Sequence, residues 1–198
     1  KMLVTFRFPL IQHGGDIHSG NNPTGKNYIL RHTTSNGILP AVIDVQNRDE
    51  HNVFLGQYRA IVFGESYAGQ GLKPALDYFN RLTKFPPNST IVIARPTAAD
   101  LLDVNWSEQE LHDQNIHMFF SNRDNEKFGL KKWQLFQKIY DPLQDPVIPL
   151  VTPSDGATAM KLIGMAVFRK DRMIGELNSA ETLLMGLITH PAKKNRIY

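Results

Sequence analysis

The sequence predicts a mixed α/β (α+β) fold: a central mixed sheet containing a βαβ unit, helices packed on it, and a C-terminal β-hairpin followed by a helix. Three stretches carry that prediction. From Tyr58 to Ala94, the apolar run Ala60-Ile61-Val62-Phe63 is followed by a helical stripe at Leu72, Ala75, Leu76, Phe79 and Leu82, then by a second run, Thr90 to Ala94. Strand, helix and strand within about 35 residues is the length of a crossover between parallel strands. Met2, Val4, Phe6, Phe8 and Leu10 alternate with Leu3, Thr5, Arg7 and Pro9, the period-two pattern of a half-buried strand. Lys161 to Phe168, the polar turn Arg169-Lys170-Asp171-Arg172 and Met173 to Leu177 form the two arms of a hairpin.

Composition sets the bounds. The chain has 198 residues, 41% of them hydrophobic and 21% charged, enough for one good core with room for a small appended lobe. Residues 1–145 are expected to form an N-terminal mixed α/β domain. Residues 146–198 form a Pro-rich connection, hairpin and helix, either part of that domain or the start of a second, with the boundary between 146 and 160. No window approaches the roughly 18 apolar residues of a membrane span. The absence of cysteine excludes disulfides, thiolate metal sites and cysteine nucleophiles. The net charge of +3 is spread in scattered residues without a basic stripe, which argues against a nucleic-acid partner.

The remaining elements follow in order. Residues 12–27, rich in Gly, Asn and Pro, read as an exposed loop. Tyr28 to Thr34 is a second strand. Ile38, Ala41, Val42 and Val45 keep helical spacing, with Pro40 in the first turn, where its missing N–H costs little. Thr97 with Asp100 starts a short helix, and Ser107 with Glu110 forms a capping box flanked by the staple residues Trp106 and Leu111. Leu130, Trp133, Phe136 and Tyr140, with Leu135 and Ile139 alongside, mark another helix, in which Trp133 reads as a core residue. The segment from Asp141 to Gly156 carries Pro142, Pro146, Pro149 and Pro153 and reads as a linker or an irregular edge. Asn178, with Glu181 three residues on, caps a last helix expected to bury Leu183, Leu184, Leu187 and Ile188. The tail from Pro191 is polar.

The hexapeptide Gly64-Glu65-Ser66-Tyr67-Ala68-Gly69 resembles the nucleophile region of serine carboxypeptidases. In that reading Ser66 is the nucleophile on a strand-to-helix elbow, His190 the base, and Asp155 (or Asp141 or Asp145) its orienting carboxylate. The context does not favour it. Few strands precede the elbow, no oxyanion loop lies upstream, and His190 sits in the terminal tail. A structural reading asks less of the same residues: Gly64 ends the strand, Gly69 and Gly71 allow a tight turn into the helix, Glu65 meets a helix N-terminus, and Ala68 permits close approach. His13, Asp16 and His18 lie in a loose loop with no third histidine nearby, and His112 and His117 do not share a helix face, so no metal site is expected.

Two blocks resemble the Ger(x)C family, the lipoprotein C subunits of bacterial spore germinant receptors. The first is an apolar strand followed by G-E-x-x-A-x-x-G-L, here Gly64, Glu65, Ala68, Gly71 and Leu72, with a helix running to Arg81. The second is G-x-A-V-F-x-x-D-[KR]-M-[VI]-G-x-L, here Gly164, Ala166, Val167, Phe168, Asp171, Arg172, Met173, Ile174, Gly175 and Leu177, with Glu181 following. In that family Ser66 falls at a variable position. The resemblance implies structural roles for Gly64, Glu65, Ala68, Gly71, Leu72, Arg81, Gly164, Ala166, Phe168, Gly175 and Glu181. It implies a non-enzymatic subunit without cofactor, held by an N-terminal lipid on the outer face of the spore inner membrane and acting with polytopic membrane A and B subunits in nutrient-triggered germination. The family's lipid-carrying cysteine is absent here and family members are longer, so this chain is expected to be a soluble fragment of such a subunit. A third possibility is a module that binds the small-molecule germinant itself.

Overall fold

The computed structural model describes residues 1–9, 28–48, 58–81, 86–105, 115–121, 128–154 and 159–189. The elements run β1 (Met2–Pro9), β2 (Tyr28–Ser35), α1 (Ile38–Arg48), β3 (Ala60–Gly64), α2 (Glu65–Gln70), α3 (Lys73–Arg81), β4 (Thr90–Ala94), α4 (Ala98–Leu102), α5 (Asn115–Phe119), α6 (Lys132–Tyr140), β5 (Val147–Pro153), β6 (Met160–Arg169), β7 (Arg172–Leu177) and α7 (Ser179–Thr189). The strands β3-β4-β5-β6-β7 form one five-stranded sheet in that spatial order. β3, β4 and β5 are mutually parallel, and β6 and β7 continue it antiparallel.

β4 is buried throughout, which explains why its sequence is apolar from Ile91 to Ala94. Ile91 and Ile93 face one side and Val92 and Ala94 the other, all with no exposed surface. On the first side they join Ile61, Phe63, Ile148, Leu150, Ala166 and Phe168 against Ala68, Leu72, Ala75, Leu76 and Leu135, which come from α2, α3 and α6 and the joint between α2 and α3. On the second, Val151 and Met165 join Val92 and Ala94 against Leu101, Val104, Ile116, Phe120 and Phe128. Each fully buried Leu, Ile or Phe contributes roughly 1.5–3 kcal/mol relative to exposure, so these two layers supply most of the driving force.

β1 and β2 form a separate two-stranded antiparallel ribbon. The Arg7 guanidinium ties it down, donating through Nη1 to the carbonyls of Leu102 (2.9 Å) and Val104 (3.0 Å) at the C-terminal end of α4. Tyr28 packs its ring 3.8 Å from that guanidinium and donates its hydroxyl to the Asp103 carbonyl at 2.7 Å. α1 buries Ala41, Val42 and Val45, as its spacing requires.

Four expectations need correction. The proline-rich stretch is neither linker nor edge: Val147–Pro153 is the interior strand β5, with Ile148, Leu150 and Val151 buried. Pro149 is tolerated because the ladder with β4 takes only Leu150 and Val151, beyond its missing N–H. Gly64 to Gly71 is more than a turn, since Glu65–Gln70 form the short helix α2. On α6 the buried side chains are Lys132 and Leu135, while Trp133 is 43% exposed and lines a groove of about 210 Å³ with Leu76, Pro87 and Phe136. α7 faces the sheet with Thr182 and Gly186 and turns Leu183, Leu184, Leu187 and Ile188 outward. Small residues allow the helix backbone to approach β6 closely, and that contact decides its rotation over the hydrophobic stripe. The Ser107–Glu110 box with Trp106 and Leu111, the loop 12–27 and the tail lie outside the described residues.

Candidate functional site

Around α2 the first sequence block meets the turn and the β7 arm of the second, through Asp171 and Glu176. β3 passes directly into this helix, with Gly64 at the N-cap and Glu65 in the first turn. β4 ends beside it, so Arg95 faces Glu65 across the carboxyl ends of two parallel strands. The guanidinium donates to both oxygens of Glu65, from Nε and from Nη2, each at 2.7 Å. This fork geometry is the strongest form of a side-chain ion pair. Nη2 also donates to Glu176 of β7, the opposite edge of the sheet from β3. One cation therefore ties the ends of β3 and β4 to the C-terminal hairpin.

The Arg95 hydrogen bond holds the Glu65 carboxyl below its ordinary 4.5, against the smaller upward push of burial. The side chains remain 38% (Arg95) and 36% (Glu65) exposed, so solvent screens the pair and its contribution stays modest. Because the folded-state pKa is the lower one, the stabilisation is complete above the unfolded value and is lost as pH falls through the folded one. Glu65→Gln should thus flatten the acid limb: urea midpoints should fall less steeply below pH 4.5 in the variant than in the parent. Parallel limbs would show that the pair does not contribute.

The second junction lies at the other end of α2. Gly71 closes the helix with φ 121°, a conformation that L side chains rarely adopt. The next two N–H groups, at the start of α3, both find Asp171 in the β6–β7 turn. Leu72 N–H donates to its carbonyl (2.8 Å) and Lys73 N–H to its carboxylate Oδ2 (3.1 Å). An N-terminal cap supplied from a hairpin about a hundred residues away satisfies donors the helix cannot satisfy itself. The turn is fixed in its own right: Lys170, at φ 56°, donates its N–H to Asp145 Oδ1 at 3.1 Å. Further along the hairpin, an added Cβ at Gly164 would stand 2.1 Å from the Leu177 carbonyl oxygen. Asn178 and Glu181 then exchange hydrogen bonds at 3.0 and 2.8 Å, a reciprocal box that starts α7.

The glycines divide on this geometry. Gly71 and Gly164 are required by backbone angle or by space. At Gly69 and Gly175 a Cβ would meet nothing within 4 Å, and at Gly64 only the Ala98 nitrogen at 3.6 Å, an ordinary contact. Ala68, Leu72, Ala166 and Phe168 are fully buried in the core. Arg81 occupies the last turn of α3, where a cation is favoured by the helix dipole.

Ser66 is exposed in the first turn of α2, and no hydrogen bond joins its hydroxyl to a carboxylate or imidazole among the described residues. Asp155 and His190, its partners in the hydrolase reading, lie outside those residues. Asp145 holds Lys170, and Asp141 accepts from Leu143 N–H and the Gln144 amide. His32 bonds Thr5, and His117 bonds Thr90, its imidazole pKa lowered by burial and by Lys131 and Arg59. Among the described residues no group of three His, Asp or Glu side chains could hold a metal ion, and no helix is long and apolar enough to cross a membrane. His13, Asp16, His18 and His112 are not among them.

Arg95, and the capping role of Asp171, are absent from the sequence reading. A signal existed for the first: an arginine directly after one parallel strand and a glutamate directly after its neighbour must come together. No local signal foretells the second, because Asp171 caps a helix far away in sequence.

This fold, a mixed sheet covered on both faces, is similar to that in the crystal structure of the GerBC protein. That structure matches with a TM-score of 0.51 over 96% of this chain and 52% of the other, at 16% identity. Residues 1–153 match the family described as spore germination protein N-terminal domain, and the chain belongs to that family, the Ger(x)C proteins. Its relatives include the spore germination protein GerQC of Bacillus cereus, 23% identical over 200 residues that span 98% of this chain. The putative spore germination protein YfkR of Bacillus subtilis (strain 168) is 22% identical over 179 residues, 86% of this chain. The chain spans about half the length of these relatives, 52% and 46%.

Proposed function

We propose that this domain is the N-terminal part of the C subunit of a spore germinant receptor. It acts without catalysis, through contacts with polytopic A and B subunits, at the outer face of the spore inner membrane, where an N-terminal lipid holds the intact protein. The family match over residues 1–153 carries this reading. The geometry supports it, since Glu65, Gly71, Gly164, Asp171 and Glu181 all serve the fold, leaving surfaces to act by contact. A single acyl chain gives only marginal anchoring, so contacts with partner subunits would share in holding the protein at the membrane.

Spores lacking the reading frame should lose germination with at least one nutrient. The intact protein carrying Ser66→Ala should restore it in full, and crosslinking in spore membranes should capture the polytopic subunits. An unchanged response of the deleted strain to every nutrient, or a Ser66→Ala protein present at normal level but inactive, would contradict the proposal.

A further inference from the structure

The outward face of α7 is the feature that the fold leaves unexplained. Leu183, Leu184, Leu187 and Ile188 are 57%, 60%, 62% and 80% exposed and lie at helical spacing on one side of an 11-residue helix. Scattered exposed aliphatics are ordinary, but four on one helix face form a contiguous patch of the kind that marks a contact site. The helix itself is well anchored, capped by Asn178 and Glu181 and set against β6 through Thr182 and Gly186. The patch is therefore presented on a fixed support.

We propose that this face docks the C-terminal half of the intact polypeptide; the inference rests on the receptor-subunit reading above. Three observations select that occupant. This chain spans only 52% of the length of GerQC, and the matching family is an N-terminal domain that ends at residue 153, so α7 lies on the C-terminal side of that domain, toward the polypeptide that follows it in an intact subunit. A segment that starts at the end of a helix folds back on it with little loss of chain freedom. The chemistry also argues against a lipid surface. An interfacial helix carries lysine or arginine beside its apolar stripe, whereas α7 has Glu181 in its first turn and no basic residue in its last.

The test places one cysteine at a time in the intact protein; these 198 residues contain none, and any free thiol outside them is first replaced by serine. Leu184→Cys and Ile188→Cys are compared with Leu143→Cys, which is 92% exposed and remote in sequence, by rate of maleimide labelling on purified protein. The two α7 positions should label at least about tenfold more slowly than the Leu143 position, at every protein concentration. Equal rates would overturn the proposal. Protection that disappears on dilution would assign the face to a second copy, and protection seen only in spore membranes would assign it to another subunit; either overturns it. Labelling is read on purified protein and the receptor reading on spores, so each can fail without the other.

Discussion

Gly164→Ala is expected to destabilise this domain severely. The new Cβ would lie 2.1 Å from the Leu177 carbonyl oxygen, with the carbonyl carbon at 3.3 Å and Asn178 Cα at 3.7 Å. All three are backbone atoms, so no rotamer change relieves the overlap. The end of β7 must move away, and with it Asn178, whose side chain and N–H begin α7. Gly164 itself pairs with Leu150 of β5, and β6 carries its fully buried neighbours Ala166 and Phe168, so the strand cannot retreat instead. Overpacking of this kind costs about 3 kcal/mol or more, a large share of the roughly 5–15 kcal/mol that holds a domain folded. The urea midpoint should fall accordingly with little change in slope. Gly175→Ala, two residues from the same carbonyl but with nothing within 4 Å of its Cβ, should change stability by no more than about 0.5 kcal/mol. Equal effects at the two glycines would refute the packing argument.

Gly71→Ala is the second. Here the cost has two sources: a residue with a Cβ must hold φ 121°, and that Cβ would meet Asp171 Oδ2 at 2.7 Å. The strain is worth about 1–3 kcal/mol. Displacing the carboxylate also uncaps Lys73 N–H, a loss of about 1 kcal/mol. Unlike the Leu177 carbonyl, the Asp171 side chain can swing aside, so this variant should remain folded but lose about 2–4 kcal/mol by urea unfolding. A Gly71→Ala protein as stable as its parent would show that the α2–α3 joint is not under this constraint.

What the sequence revealed and what it hid follow from the range of the forces involved. Period two at Met2 to Phe8, the apolar run Ile91 to Ala94 in β4 and the crossover between β3 and β4 are local patterns, and the structure forms each of them. So are the caps at Thr97–Asp100 and Asn178–Glu181. β5 was obscured because prolines are read as breakers, while its ladder with β4 takes only Leu150 and Val151 and does not include Pro149. The facing of α6 and α7 was misread for a single reason. Hydrophobic stripes report burial in whatever assembly the chain belongs to, whereas Lys132 and Leu135, or Thr182 and Gly186, are chosen by the shape of this sheet. Within the candidate site, Gly71, Leu72 and Gly164 were legible as family positions, but their purpose became visible only when Asp171 was found across from Gly71 and Leu177 across from Gly164. Arg95 shows the converse, a residue outside both blocks that joins Glu65 of one to Glu176 of the other.

The central claim is that the two sequence blocks form one mechanical unit, and a double-mutant cycle between them tests it most directly. Asp171→Ala removes the carboxylate that caps Lys73 and that an alanine at position 71 would strike. Gly71→Ala, Asp171→Ala and the double variant are compared by urea unfolding at neutral pH. The account predicts that the double variant loses less than the two single losses combined, by about 1 kcal/mol or more, as expected for groups in direct contact. Strict additivity would mean that the Asp171 side chain does not couple the two blocks at this joint and would contradict the account.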